Sequence, residues 1–213
     1  MPAAIQQSQM ESDRLSAIKI DSEIRAIEEL KKSLDAESLT KALDFMQNST
    51  GRIIITGMGK SGHIGKKIAA SLASTGTPSF FVHPAEASHG DLGMITDDDV
   101  VIAISNSGES RELIDILNYC KRFGIKLIAI TKNQDSSLGK AGDVVLLLPN
   151  NGEACPLGLA PTSSTTATLV LGDILTIRMI ERKGFSKEDF NDRHPGGKLG
   201  SILKRVSDLM HTG

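Results

Sequence analysis

The sequence contains no tryptophan and one tyrosine, and aromatic residues make up only 3% of it. Stacking platforms for single-stranded nucleic acid need aromatic faces, so the composition argues against such partners. Two cysteines, Cys120 and Cys155, are too few and too far apart for a disulfide framework or a CxxC zinc knuckle. A reduced, cytoplasmic compartment is the expectation. Neither sign of charge dominates: 24 Lys and Arg stand against 26 Asp and Glu, a formal net charge of -2. That balance argues against a nucleic-acid or anionic-membrane binder held by bulk charge, while leaving room for a compact anion site. Long apolar runs are also missing. Val100–Ile104 and Val144–Leu148 are far short of a membrane span, and Met1–Asp13 has no apolar signal-peptide core. What remains is ordinary for a globular chain. Its 213 residues are 39% hydrophobic and 23% charged, enough for one large domain or a domain with an appendage.

From about Ser12 to Leu34, the apolar residues Leu15, Ile18, Ile24, Ile27, Leu30 and Leu34 recur mostly at three- and four-residue steps. The spacing predicts an amphipathic helix with Glu23, Arg25, Glu28, Glu29, Lys31 and Lys32 on its wet side. Its apolar stripe packs either on its own domain or on a partner subunit. A second helix is expected over Glu37–Gln47, ended by Asn48-Ser-Thr-Gly51. Short apolar, β-branched runs then alternate with helical segments. Strands are expected at 52–56, 78–82, 100–105, 126–131 and 144–148, with helices at 60–74 and from about Ser110 to Arg122. Continuous rather than alternating hydrophobicity means burial on both faces, as in a parallel sheet covered by helices. The fold class is therefore α/β, a three-layer doubly wound sheet of about five parallel strands with N-terminal helices. A long helix is expected over 163–182, ended by Lys183-Gly184. At Ser186-Lys-Glu-Asp189, Asp in the third helical position only approximates a capping box. The turn-rich stretch 191–200 is expected to be irregular, and Ser201–Met210 to form a final short helix. The domain reading is a helical segment at 1–50, the α/β domain at 51–205 and the start of a further region at 206–213.

Ser105-Asn-Ser-Gly-Glu-Ser110 follows the strand VVIAI and precedes a helix. Ligands of open α/β sheets bind beyond the carboxyl ends of strands, and a helix N-terminus there offers N–H groups to an anion. The hydroxyls of Ser105, Ser107 and Ser110 add donors beside Asn106, and Gly108 allows close backbone approach. This suits a phosphate monoester; an ordinary N-cap turn is the plainer reading. Gly57-Met-Gly-Lys-Ser-Gly62 also joins a strand to a helix and matches GxGxxG. The acid expected after a second dinucleotide-binding strand is missing, because that strand ends Val82-His83-Pro84. The run also fails as a Walker A loop. A tight glycine turn explains part of it, but Lys60 places a cation at the ligand end, next to Ser61. Pro161-Thr-Ser-Ser-Thr-Thr166 opens the long helix with five hydroxyl residues, starting at Thr162. One serves as N-cap; the surplus either contacts a ligand or is simply solvated. The ionisable candidates are His83, His89, His194, Glu86, Asp91, Glu109, Glu112 and Glu153. Metal spacing is poor, so no structural metal is expected, although His83 can capture a divalent ion. Glu153 is flanked by apolar residues, a setting expected to raise its pKa for base work.

The segments GMGKSGHIG (57–65), STGTPSFFVHPAEASHGDLGM (74–94), SNSGES (105–110), EACPLGLAPTSSTTATLVLGD (153–173) and HPGGKLG (194–200) together resemble the sugar isomerase (SIS) domain family. Within it they are most similar to the isomerases that interconvert D-ribulose 5-phosphate and D-arabinose 5-phosphate, at the entry to the Kdo sugar of lipopolysaccharide. The resemblance runs from about Gly51 to Gly213. It implies that Lys60, Glu112, Glu153 and His194 are the catalytic set. It further implies that Gly76, Thr77, His83 and His89 belong to the substrate region, with His83 also a zinc ligand. Many relatives carry a C-terminal pair of CBS domains, whose opening resembles Val206–His211, so the chain is expected to be truncated before such a pair.

Aldose–ketose isomerisation moves a proton between C1 and C2 through a cis-enediolate, which needs a base reaching both carbons, an acid and charge stabilisation. On the resemblance, Glu153 is the base, His194 the acid/base and Lys60 the electrostatic stabiliser. Glu112 either orients Lys60 or shares the base role. No cofactor is required. The partner is a sugar phosphate, with no nucleic acid and no membrane. A homo-oligomer, dimer or tetramer, would allow His194 to act across a subunit interface. A non-catalytic sugar-phosphate sensor is the alternative, and a nucleotide-dependent oxidoreductase a weaker one. A sensor needs only the phosphate loops, so the intact Lys60, Glu153 and His194 argue against it.

Overall fold

The computed structural model describes residues 3–194. Five parallel strands form one sheet: β1 (Ile53–Gly57), β2 (Ser79–Val82), β3 (Val100–Ile104), β4 (Lys126–Thr131) and β5 (Val144–Leu147), in the order β2-β1-β3-β4-β5. Each lies where a continuous apolar run predicts it, within the residue or two by which strand ends fray. The pleat explains why those runs are continuous. Ile53 and Ile55 of β1 enter one core while Ile54 enters the other. Val100, Ile102 and Ile104 of β3 likewise separate from Val101 and Ala103. All five residues of β1 and of β3 are buried, as the two central strands require.

On one face lie α1 (Ala3–Ser33), α2 (Ala36–Asn48), α3 (Gly59–Ser74) and α7 (Ser163–Lys183). On the other lie α4 (Pro84–Ala87), α5 (Ile114–Phe123) and α6 (Ser137–Ala141). A short α8 (Lys187–Arg193) follows α7. Helices α3 and α7 run side by side in the same direction. Lys67 pairs with Asp173, Ile68 packs on Gly172, and Lys183 Nζ donates to Gly76 O at 3.3 Å near the end of both helices. Their first turns therefore sit together at the carboxyl edge of the sheet. Gly172 is required by this approach, because a Cβ there would stand 2.3 Å from Ile68 Cγ1.

The apolar stripe of α1 divides. Ala26 and Leu30 are buried, whereas Leu15, Ile18, Ile20, Ile24 and Ile27 are 56%, 44%, 60%, 47% and 38% exposed. Among the described residues, the last turns of α1 find a seat on α7. Several local expectations need correction. After the serine loop the chain makes a 3₁₀ turn, Arg111–Leu113, and the α-helix begins only at Ile114. Residues 191–193, expected to be irregular, complete α8, whose capping box is fully formed between Ser186 and Asp189. The shorter Asp side chain suffices because its Oδ2 reaches Ser186 N at 2.8 Å. The short helices α4 and α6 fall between the expected elements, in stretches to which the sequence pattern assigns no helix. The final helix expected at 201–210, and the region at 206–213, lie outside the described residues.

The Gly172 contact sets a test of the layer. Gly172→Ala should lower unfolding stability by about 1–3 kcal/mol through overpacking against Ile68. Ile68→Ala should cost about 2–5 kcal/mol by opening a cavity. The double variant, measured by urea unfolding, should be more stable than the two losses added together, since each change relieves the other. Simple additivity would show that the two helices do not touch there.

Candidate active site

Strand β1 has β2 on one side and β3 on the other, so the chain leaves the sheet in opposite directions from β1 and β3. In this flavodoxin-like order, the crevice between those departures is where open α/β sheets bind ligands. The two loops lining it are Gly57–Gly62 and Ser105–Ser110. The first opens α3, whose N-cap position, Met58, makes no side-chain cap bond, and no acid lies in the first turn. The first-turn N–H groups and the helix dipole are thus not offset by a side chain. Lys60 is exposed and has no hydrogen-bond or ion-pair partner among the described residues; Ser61 is half-buried.

The serine loop is braced from within. Ser105 is buried, its Oγ lies 2.8 Å from Ser110 Oγ, and it accepts from Gly108 N at 3.1 Å. Of two hydroxyls that share one hydrogen bond, one keeps its own hydrogen free for an anion. Asn106 O accepts from Lys132 N at 3.1 Å and from Thr131 Oγ1 at 3.2 Å, while Asn106 Oδ1 is buried without a partner among the described residues. Gly108 has φ +75°, and a Cβ there would stand 1.9 Å from Ser136 Oγ. Glycine is needed for both the dihedral and the space. Thr131 and Ser136, which floor the loop, were missed by sequence reading. Ser107 is exposed, and its Oγ accepts from Glu109 N at 3.2 Å. Glu109 is a tie rather than a reactive group, because it accepts Ser137 Oγ at 2.7 Å and Ser137 N at 2.9 Å. Those bonds, the hydroxyl's first, hold its pKa below the ordinary value.

Glu153 sits past β5 at the head of α7. Its Oε2 accepts from Thr162 N at 2.7 Å, Thr162 Oγ1 at 3.1 Å and Ser164 N at 3.2 Å. The expected upward pKa shift is not found. Desolvation, the largest single cause, pushes the pKa up, but the hydrogen bonds from Ser164 and Thr162 together outweigh it and lower the pKa. The hydroxyl-rich start of α7 is largely used internally. Ala154 N donates to Thr162 Oγ1 at 2.9 Å and to Ser163 Oγ at 3.2 Å, and Thr165 Oγ1 donates to Thr162 O at 2.7 Å. Since α3 and α7 are parallel neighbours, Glu153 and Lys60 share one end of the molecule. Glu23, placed by helical spacing on the wet side of α1, instead accepts Ser163 Oγ at 3.0 Å.

Glu112 is exposed in the 3₁₀ turn after the serine loop. His83 and His89 follow β2 at the same sheet edge; His83 is half-buried with Nδ1 unpartnered among the described residues, and His89 is exposed. Among the described residues no three His, Cys, Asp or Glu side chains converge on a metal-sized site. The remaining candidates lie elsewhere. Gly76 packs under Phe185, and Thr77 N bonds Leu72 O at 2.9 Å, both before the amino end of β2. His194 ends α8, stacked on Phe190 at 3.8 Å with Nδ1 2.8 Å from Phe190 O. Within one chain Gly76, Thr77 and His194 therefore stand at the opposite end of the sheet from Lys60 and Glu153.

The sequence profile of the SIS domain matches residues 46–178. The chain is 59% identical over 178 residues to the arabinose 5-phosphate isomerase KdsD of Pseudomonas aeruginosa, covering 83% of this chain and 55% of that protein. It is 57% identical over 178 residues to the arabinose 5-phosphate isomerase KdsD of Escherichia coli K12, covering 83% of this chain and 54% of that protein. The chain thus spans about half the length of the curated relatives it matches. Among solved structures, an Escherichia coli CFT073 protein in complex with arabinose 5-phosphate superposes with a TM-score of 0.83 at 42% identity, over 87% of this chain and 98% of that one.

The lowered pKa of Glu153 carries a pH signature. Its folded value lies below its unfolded value, so its stabilising contribution is complete above the ordinary glutamate pKa and is lost as pH falls through the folded one. Urea midpoints measured from about pH 6 down to about pH 3 should fall less steeply in Glu153→Gln than in the wild type. The two curves should run parallel at higher pH. Equal acid slopes would mean that the head of α7 does not hold this carboxylate.

Proposed function

This chain belongs to the SIS domain family, and from that premise we propose that it is an aldose–ketose isomerase interconverting D-arabinose 5-phosphate and D-ribulose 5-phosphate. The observation that carries the reading is the ionised Glu153 at the head of α7, beside the head of α3 that bears Lys60. A binding-only sensor has no use for a carboxylate kept ionised there. The substrate class is supported by the two relatives that are arabinose 5-phosphate isomerases and by the similar structure complexed with arabinose 5-phosphate.

In this reading the phosphate is held by Ser107, by the free hydroxyl hydrogen of the Ser105–Ser110 pair, and by Ser61 with the first-turn N–H groups of α3. Asn106 Oδ1 accepts a sugar hydroxyl. Three donors converge on Glu153 Oε2, so Oε1 is the oxygen that takes the C2 proton of the aldose. The electron pair forms the C1–C2 double bond, and the carbonyl oxygen on C1 becomes the enediolate anion that Lys60 stabilises. A proton moves from the C2 hydroxyl to that oxygen, and Glu153 returns its proton to C1, leaving a ketone at C2. The donors that favour the carboxylate make it a weaker base but a readier acid, so the proton is handed on rather than kept. Hydrogen moves within one molecule, and no redox cofactor enters.

His194, with Gly76 and Thr77, serves the site of a neighbouring copy of the chain. The exposed apolar face of α1 offers surface for that contact, in a dimer or tetramer. None of the described helices is long and apolar enough to cross a membrane, and we assign the enzyme to the cytoplasm, at the entry to the Kdo sugar.

The test follows pentose phosphates by 31P NMR in deuterated water. The chain should interconvert arabinose and ribulose 5-phosphates and exchange the C2 hydrogen. Glu153→Gln should bind substrate yet lose exchange by roughly 10²–10⁴-fold. Mixing Glu153→Gln with His194→Asn chains should restore turnover that neither shows alone. Turnover of a hexose phosphate but not of this pair would overturn the substrate, and near-wild-type exchange in Glu153→Gln would overturn the base.

A further inference from the structure

Helix α1 reaches the head of α7 through one carboxylate. Glu23 Oε1 accepts from Ser163 Oγ at 3.0 Å, and the same Ser163 Oγ accepts from Ala154 N at 3.2 Å. Ala154 is the residue next to Glu153. A serine hydroxyl has one hydrogen and two lone pairs, so committing the hydrogen to Glu23 turns a lone pair toward the Ala154 N–H. Ser163 itself is 1% exposed, which leaves water little access to replace either bond.

Packing does not account for Glu23. Ala26 and Leu30, three and seven residues further along the same helix face, seat α1 by burying apolar surface. Glu23 adds a carboxylate whose Oε2 is buried without a partner among the described residues. Such an oxygen costs free energy that an apolar residue at the same place would not incur. A side chain carried at that cost, and bonded to one of the two hydroxyls that hold Ala154 N beside Glu153, the other being Thr162 Oγ1 at 2.9 Å, has a task at the site.

We propose that Glu23 is a positioning residue of the isomerase: by orienting the Ser163 hydroxyl it fixes the Ala154 N–H and hence the placement of Glu153. The inference rests on the reading of Glu153 as the base. Glu23 touches no reacting atom. It also makes the seat of α1, the helix with the exposed apolar face, a condition for a correctly placed base.

The test has a kinetic arm and a ligand-free arm, both on the full chain. Misplacement by a fraction of an ångström is felt mainly in turnover, so Glu23→Ala should lower kcat roughly 10- to 100-fold with KM nearly unchanged. Glu23→Gln still offers Ser163 an acceptor and should recover most of that loss. The Glu23→Ala, Ser163→Ala double variant should be no slower than the slower single one, as for two residues acting through one hydrogen bond. Without substrate, the Ala154 amide should exchange with deuterium faster in Glu23→Ala, while amides of β1 and β3 keep their wild-type protection. Unchanged kcat and Ala154 exchange in Glu23→Ala would overturn the proposal. So would failure of Gln to rescue alongside equal melting-temperature losses in both variants, which would make Glu23 merely structural. If the wild type turned over no pentose phosphate, the substrate reading would fall, and the Ala154 exchange would still decide whether Glu23 holds this loop.

Discussion

All five strands run in one direction, and that constraint governs everything downstream of it. A parallel sheet needs a crossover between each pair of strands, so both faces are covered and the strands read as unbroken apolar runs. It also delivers the chain to the same edge at every strand end. The glycine-rich turn after Gly57, the serine loop after Ile104, the Thr131–Ser136 support and the Glu153 loop after β5 are gathered there from segments far apart in sequence. No single loop makes the site. The shared direction of the strands does.

The electrostatics at that edge come mostly from backbone donors. Lys60 is the lysine of the proposed set, which holds no arginine, and Glu153 is governed by N–H groups and hydroxyls at the head of α7. These donors reverse the usual effect of burial on a carboxyl. Desolvation alone would have favoured the protonated acid, but hydrogen bonds to the charged form outweigh it. A near-neutral chain can therefore offer a strongly anion-directed crevice, because helix N-termini and hydroxyls add no net charge.

At the opposite edge of the sheet lie Gly76, under Phe185, with Thr77 beside it, and His194, stacked on Phe190. Their separation from Lys60 and Glu153 within one chain, together with the exposed Leu15, Ile18, Ile20, Ile24 and Ile27, fits a protein whose working unit is larger than one copy. Helix α1 thus carries an exposed apolar face, the surface proposed for a neighbouring copy, and the Glu23–Ser163 bond toward the head of α7.

Much of this was legible in the residues. The five strands followed from β-branched runs whose periodicity excludes a one-sided sheet, and the ligand edge from Gly and Ser placed directly after them. The family was legible as a resemblance, carried together by the segments at 57–65, 74–94, 105–110, 153–173 and 194–200. What escaped sequence reasoning depends on groups that only the fold brings together. The pKa direction of Glu153 turns on the N–H groups of Thr162 and Ser164 pointing at its Oε2. Although both lie close along the chain, the sequence does not show that the intervening loop folds back to make those bonds. The role of Ser136 depends on its distance from Gly108, and that of Glu23 on α1 crossing the head of α7. Within one chain His194 stands apart from Lys60 and Glu153, because α7 carries the chain from one edge of the sheet to the other before His194 is reached, a separation that the reading of His194 as acting across a subunit interface already allowed for. Local pattern determines elements and the edge at which loops emerge, since these depend on near neighbours and strand direction. Hydrogen-bond partners and the sign of a pKa shift belong to the packed state, because they are set by distances of about 3 Å between groups that local pattern does not orient, whether close along the chain, as Thr162 and Ser164 are to Glu153, or far apart, as Glu23 is from Ser163.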